Sequence, residues 1–362
     1  MKIDFANLTL AHQEYATEIN VAIQKTIEKS HFIMGDEVEL LEDELKNFTG
    51  SNHVITCSSG TSALLLALSA IGIGTNDEVI TSPFSFIAAA EMIAFLGAKP
   101  VFVDIDPLTY QINPSLITSA ITPKTKAIIP VSLFGQPSDM DSINKIAQKH
   151  NLIVIEDGAQ SFGATYKEKK SCNLTPIATT SFFPAKPLGC YGDGGAVFCN
   201  DEHIATKIKS LRIHGQTKRY EHSYIGLGAR LDTIQAAILR VKLKYYPIKI
   251  SKRNQVAKLY EKYLKNKSVK LPIIGDHIQS VYAQYSILSA DRNSLEKKLK
   301  QNNIPYAIHY PIALHLQPCF SYLGYQEGDF PIAEKTCKQI LSLPMNPYLS
   351  ENEIEYISGV ID

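Results

Sequence analysis

The chain has 362 residues, 45% of them apolar, and its 36 Lys and Arg balance 36 Asp and Glu. That length predicts a large domain plus a smaller one, and the neutral, scattered charge excludes a nucleic-acid binder. No apolar run has the length of a membrane span, and Met1-Lys2-Ile3-Asp4-Phe5 lacks a signal-peptide core, so a cytoplasmic protein with no membrane partner is expected. The six cysteines show no paired metal spacing and read as reduced packing residues, with no metal expected.

Apolar positions at helical spacing over 10–30 predict a first helix, and Gly35 separates it from a second over Asp36 to Phe48. The loop His31-Phe32-Ile33-Met34-Gly35 between them is a place for a ligand or a plain connection. Val54 to Cys57 reads as a buried strand that runs through Ser58-Ser59-Gly60-Thr61-Ser62 into the helix Ala63 to Ile71. Such a junction gathers free backbone N–H groups and the positive end of the helix dipole, which suits a phosphate, although Ser and Thr there also serve as caps. Strands at Val79-Ile80, Val101 to Val103, Ala127 to Val131 and Leu152 to Ile155 alternate with helices over Phe86 to Phe95 and Met140 to His150. This is βαβ spacing, so the chain predicts an α/β fold with a mainly parallel central sheet and helices on both faces. Ligands then bind beyond the carboxyl ends of the strands.

Two of those strand ends carry chemistry. Glu156-Asp157-Gly158-Ala159-Gln160 follows the strand Leu152 to Ile155 directly, and a carboxylate there is costly unless a cation meets it or it caps the next helix. The run Thr180-Ser181-Phe182-Phe183-Pro184-Ala185-Lys186 leaves an apolar segment and enters Gly189-Cys190-Tyr191-Gly192-Asp193-Gly194-Gly195. Partial desolvation of Lys186 disfavours its ammonium form, which is what a Schiff base to an aldehyde needs; the alternative is a surface lysine before a tight turn. Past Ala196 to Phe198, a helix over Asp201 to Ile213, a long loop His214 to Tyr224 and a helix from Gly226–Asp232 through Lys242 are expected. From Pro247 a basic helix (Ser251 to Leu264), a strand-like Ser280 to Ile287, a helix (Ser294 to Gln301) and His309-Tyr310-Pro311 indicate a small α+β domain. The division is therefore placed at 1–246 for the large domain and 247–362 for the small one.

Ser59-Gly60-Thr61 before a helix, Glu156-Asp157-x-x-Gln160, and Ser181-Phe182-Phe183-Pro184-x-Lys186-x-Leu188-Gly189 followed by Gly192-Asp193-Gly194-Gly195 resemble the nucleotide-sugar aminotransferases of the DegT/StrS type. The likeness extends through Pro130 to Gln136 and His309-Tyr310-Pro311. It implies fold-type I enzymes that use pyridoxal 5'-phosphate (PLP). Carried over residue by residue, Lys186 binds the cofactor aldehyde and moves the proton, and Asp157 keeps the pyridine nitrogen protonated so that the ring is an electron sink. Gln160 sits by the ring, Phe86 stacks on its other face, and Gly60, Thr61, Ser62 and Ser181 hold the phosphate. Arg230 is expected to bind substrate across a homodimer interface, the alternative being a surface ion pair; His309 and Tyr310 are further substrate contacts or plain core residues, Met34 on the 31–35 loop is another candidate contact, and the first residues of the chain pack with the small domain. Relatives commonly carry Asn where this chain has Gly228, and Pro where it has Ala313, which changes those two loops. Lys186 itself favours transamination over PLP-dependent dehydration.

In detail, Ser171-Cys172-Asn173-Leu174, Ser181 to Asp193 and Arg230-Leu231-Asp232-Thr233 are most similar to the branch that aminates C3 of UDP-2-acetamido-2-deoxy-3-oxo-glucuronate with L-glutamate. That resemblance implies a role in surface polysaccharides such as lipopolysaccharide O-antigen. The alternative is C4 amination of a UDP-4-keto-6-deoxy-N-acetylhexosamine. A PLP- or sugar-binding regulator without turnover stays open as a different class, whereas a nicotinamide enzyme is disfavoured because no strand runs into Gly-x-Gly-x-x-Gly.

Overall fold

In the computed structural model, which describes residues 3–361, seven strands form the central sheet: β1 (His53–Cys57), β2 (Glu78–Thr81), β3 (Lys99–Phe102), β4 (Thr125–Ile129), β5 (Ile153–Asp157), β6 (Ile177–Ser181) and β7 (Gly195–Cys199). Their order is β1-β7-β6-β5-β4-β2-β3, with parallel pairing from β6 to β3, and β7 runs against both its neighbours. Side chains alternate between the faces, as a pleated strand requires. Ile80, Ile128 and Val154 pack with Ile143 on one side, while Val79, Ile129 and Ile155 pack with Leu66 and Ile93 on the other. The sheet is thus buried on both faces, and its strands read as continuous apolar runs for that reason.

Helix α1 (Leu8–Lys29) packs through Tyr15 and Ile19 against Ile238 and Val241, while α2 (Asp36–Thr49), α3 (Gly60–Ala70), α4 (Ala88–Phe95), α5 (Met140–His150) and α6 (Glu202–Leu211) flank the sheet. Helix α4 begins two residues later than the spacing predicts, because the Ser82 hydroxyl accepts from Phe84 N at 3.1 Å and bends the chain there. Phe86 is left on the loop. The expected long loop after α6 contains a short hairpin, Gln216–Lys218 with Glu221–His222.

The largest departure is at Pro247. A break is expected there, yet α7 runs from Thr233 to Leu264 without interruption. Proline removes one helical hydrogen bond, but the turns on either side are clamped by packing. Tyr246 is fully buried with its ring stacked 5.8 Å from that of Phe162, its hydroxyl donates to Phe162 O, and Ile250 joins the same cluster. The 246/247 boundary therefore falls inside one rigid helix. Its first half packs under the central sheet, and Val256, Ala257, Tyr260 and Leu264 pack into a second core with Ile3 and the C-terminal elements. Met1 and Lys2, also expected beside this core, lie outside the described residues.

That second core covers a three-stranded antiparallel sheet, β8 (Val269–Lys270), β9 (Tyr285–Ser289) and β10 (Ile340–Leu343), with α8 (Arg292–Gln301), α9 (Pro331–Gln339) and α10 (Glu351–Gly359). β9 starts at Tyr285, not at Ser280. Val281 N and Ser280 Oγ bond to Gly135 O instead of to a neighbouring strand, which holds 280–284 as a loop over the carboxyl end of the large sheet.

Candidate active site

A cavity of about 530 Å³ opens at the carboxyl ends of β1, β5 and β6. The start of α3 forms one wall. Ser59 is extended and its hydroxyl accepts from Ser62 N at 3.0 Å, so the first turn is capped while Gly60 and Thr61 line the cavity. Ser62 does not line it, because its hydroxyl turns back to Ser58 and Ser59 at 2.9 and 3.0 Å. Gly60 matters for what is beside it. A Cβ there would stand 2.7 Å from the Cβ of Ser181, so only glycine lets the end of β6 bring that hydroxyl against the helix start. Gly195 does the same from β7, where a Cβ would fall 2.4 Å from the carbonyl of Ser59. The result is a cradle of helix N–H groups and one hydroxyl, suited to a phosphate.

Strand β5 delivers Asp157 into the cavity and, by alternation, turns Glu156 to the opposite face. Glu156 is fully buried and accepts from Ser132 Oγ, Ser171 Oγ and Cys172 N at 2.7–2.9 Å. Burial pushes its carboxyl above the ordinary range, against those hydrogen bonds. Asp157 is also buried and accepts one bond, from Ala159 N at 3.0 Å. Burial raises its carboxyl too, opposed by that N–H and by Lys186. It is an acid short of a cation.

Lys186 lines the same cavity on the loop after β6. Its amine is lowered from the usual lysine range by desolvation, and the charge of Asp157 only partly opposes this. Gln160 is held at both ends: its Oε1 accepts from Phe134 N at 2.9 Å and its Nε2 donates to Tyr310 OH at 3.2 Å. Phe134 has φ 59°, a strained setting for a bulky residue, and Gln160 secures it. Tyr310 lies 6.3 Å by ring centroid from Phe86, whose ring is more than half exposed at the cavity mouth. His309 sits beside them with Nδ1 2.9 Å from Ser342 Oγ, and burial, followed by the nearby Lys186, lowers its pKa from the usual imidazole range.

Of the residues picked from sequence, Gly60, Thr61, Phe86, Asp157, Gln160, Ser181, Lys186, His309 and Tyr310 meet in this one cavity. Met34 and Arg230 lie outside it. Met34 is exposed on the loop before α2, and Arg230 is half-buried, with no ion-pair partner among the described residues. A Cβ at Gly228 would stand 3.0 Å from the His214 ring, so that imidazole occupies the space a side chain at 228 would need. Sequence reading missed Ser85, Asp193 and Gln284 on the walls. Asp193 lies within a recognised motif; Gln284 had no signal, since Tyr282-Ala283-Gln284-Tyr285 alternates like a strand.

The residues present fit PLP: an amine whose ammonium form burial disfavours for its aldehyde, a buried acid without an ion pair among the described residues for its ring nitrogen, and a side-chain-free cradle for its phosphate. Fold and site together define a fold-type I PLP-dependent aminotransferase. The DegT/DnrJ/EryC1/StrS aminotransferase family matches residues 13–362. A UDP-2-acetamido-2-deoxy-3-oxo-D-glucuronate aminotransferase of Pseudomonas aeruginosa is 47% identical over 99% of both chains. A crystal structure of a family member from Brucella abortus superposes with a TM-score of 0.96 at 39% identity, covering 99% of this chain and 98% of that one. The Bacillus subtilis protein ntda, solved with the cofactor PMP bound, gives 0.92 at 31% identity over 99% of this chain and 84% of the other. This chain belongs to the DegT/DnrJ/EryC1/StrS aminotransferase family, and its cofactor is PLP. No helix among the described residues is long and apolar enough to cross a membrane.

Proposed function

We propose that the protein transfers the amino group of L-glutamate to C3 of a UDP-linked 2-acetamido-2-deoxy-3-oxo-glucuronate, acting in the cytoplasm as a homodimer. The observation that carries the aminotransferase chemistry is the meeting of Lys186, Asp157 and Gln160 with the Gly60–Ser181 cradle in one cavity. The sugar follows from the 47% identical relative and from Arg230, a cation without an ion-pair partner that a second copy could direct at a ligand carboxylate. Exposed apolar side chains at Phe32, Ile33, Met34 and Ile225 support burial against that copy.

PLP, when bound, supplies an aldehyde to join the amino group and a ring that accepts electrons. Lys186, whose ammonium form burial disfavours, would take a proton from substrate carbon and return it without leaving the site. Asp157 would face the ring nitrogen and favour its protonated form, a pairing that the burial of its carboxyl makes favourable. Gln160, fixed by Phe134 N and Tyr310 OH, would hold the ring in place. The helix start and Ser181 would anchor the phosphate, and Phe86 stands at the cavity mouth, where it would cover the ring.

The test offers the purified protein glutamate with a panel of UDP-keto-sugars. Amination of the 3-oxo-uronate supports the reading; amination of a UDP-4-keto-6-deoxy sugar alone replaces its substrate, and amination of none overturns it. Arg230→Ala should raise KM for the uronate about tenfold more than for a neutral keto-sugar, as loss of a charge-assisted contact implies.

A further inference from the structure

Gln284 lines the cavity and has no part in the chemistry above. Its carboxamide makes no hydrogen bond among the described residues, and Oε1 is shut off from solvent. An amide oxygen removed from water without a donor is unfavourable, and native structures keep few of them. The backbone that carries it is fixed. Val281 N and Ser280 Oγ donate to Gly135 O at 2.9 and 3.0 Å, Ser280 Oγ accepts from Tyr282 N at 3.0 Å, and Arg253 Nη1 donates to Tyr282 O at 2.9 Å. Gly135, at φ 109°, permits this contact, since a Cβ there would stand 2.5 Å from Tyr282 N. It also follows Phe134 directly, so the turn that holds Gln160 holds the Gln284 loop as well. A polar side chain carried on so firmly held a backbone and left without a partner points to a ligand.

We propose that Gln284 is a specificity-determining residue for the acceptor sugar, its Oε1 turning into the cavity to accept a hydrogen bond from a ring hydroxyl or acylamino N–H of the keto-sugar. The inference rests on the aminotransferase reading above. A half-turn about the last side-chain bond exchanges the two ends of the amide, and nothing bonds it in its present orientation. Glutamate cannot supply the donor: its amino group is the one transferred and is committed to the cofactor's aldehyde carbon, and its two carboxylates are acceptors that a carbonyl oxygen repels. A sugar ring carries hydroxyl and amide donors around its edge.

Gln284→Met keeps the length of the side chain and removes its polarity. Titration calorimetry with UDP-2-acetamido-2-deoxyglucuronate, the unreactive parent of the keto-sugar, should show about tenfold weaker binding, the scale of one lost neutral hydrogen bond. In single turnovers the keto-sugar half-reaction should lose more than the glutamate half-reaction. Wild type should disfavour at least one keto-sugar deoxygenated at C2 or C4, or stripped of its acylamino group, by about tenfold, and the Met variant should abolish that preference. Equal losses in both half-reactions, or an unchanged preference across the sugars, overturns the assignment and leaves the aminotransferase reading standing. Failure of wild type to convert glutamate at all overturns both.

Discussion

Replacing Asp157 by Asn separates what this side chain does for the fold from what it does for the reaction. Asn keeps an oxygen for Ala159 N, so the geometry at the end of β5 survives and only the charge goes. A buried unit charge about 4 Å from a cationic ring nitrogen, at an effective dielectric of about 20, contributes about 4 kcal/mol. Glutamate-driven conversion of the bound cofactor, followed by stopped-flow absorbance, should therefore slow about a thousandfold. The cofactor-free protein should respond in the opposite sense. Burial raises the Asp157 carboxyl above its ordinary value, so ionisation favours the unfolded chain. That penalty is absent in acid below the ordinary carboxylate pKa of about 4 and grows as pH rises through the folded value. Cofactor-free Asp157→Asn should thus melt above wild type at pH 7 and equal to it in acid, while the loaded variant melts below loaded wild type. A rate within about tenfold of wild type, or a lowered melting temperature without cofactor, would refute this account of Asp157.

Gly60→Ala should weaken PLP binding by about ten- to a hundredfold, because its Cβ would meet that of Ser181 at 2.7 Å and overpacking costs about 1–3 kcal/mol; equilibrium dialysis measures it, and unchanged affinity counts against the cradle. Gln160→Leu leaves Phe134 N without its acceptor, so the cofactor-free protein should lose about 1–3 kcal/mol by urea unfolding, and Gln160→Glu, which keeps the acceptor, should lose less.

The site was legible where chemistry sits at strand ends. Asp157 follows an apolar run, Lys186 separates an apolar run from a glycine cluster, and Ser59 to Thr61 join a strand to a helix; each pattern is local, and the parallel sheet brings the three together. What stayed hidden depends on contacts between distant segments. Pro247 reads as a helix breaker, and only the Tyr246–Phe162 packing explains its tolerance. Gln284 looks like a strand residue until Gly135 O draws Ser280 and Val281 away from the ladder. The left-handed turn at Phe134 depends on Gln160, which lies 26 residues further along the chain. Arg230 and Met34 were chosen by resemblance, and both lie outside the cavity of their own chain.

The central claim is that one desolvated amine, Lys186, carries the cofactor. Borohydride reduction of the PLP-loaded protein followed by peptide mass mapping tests it most directly. The cofactor's mass should appear on the peptide containing Lys186 and be lost in Lys186→Ala; the mass on another lysine, or on none, would contradict it.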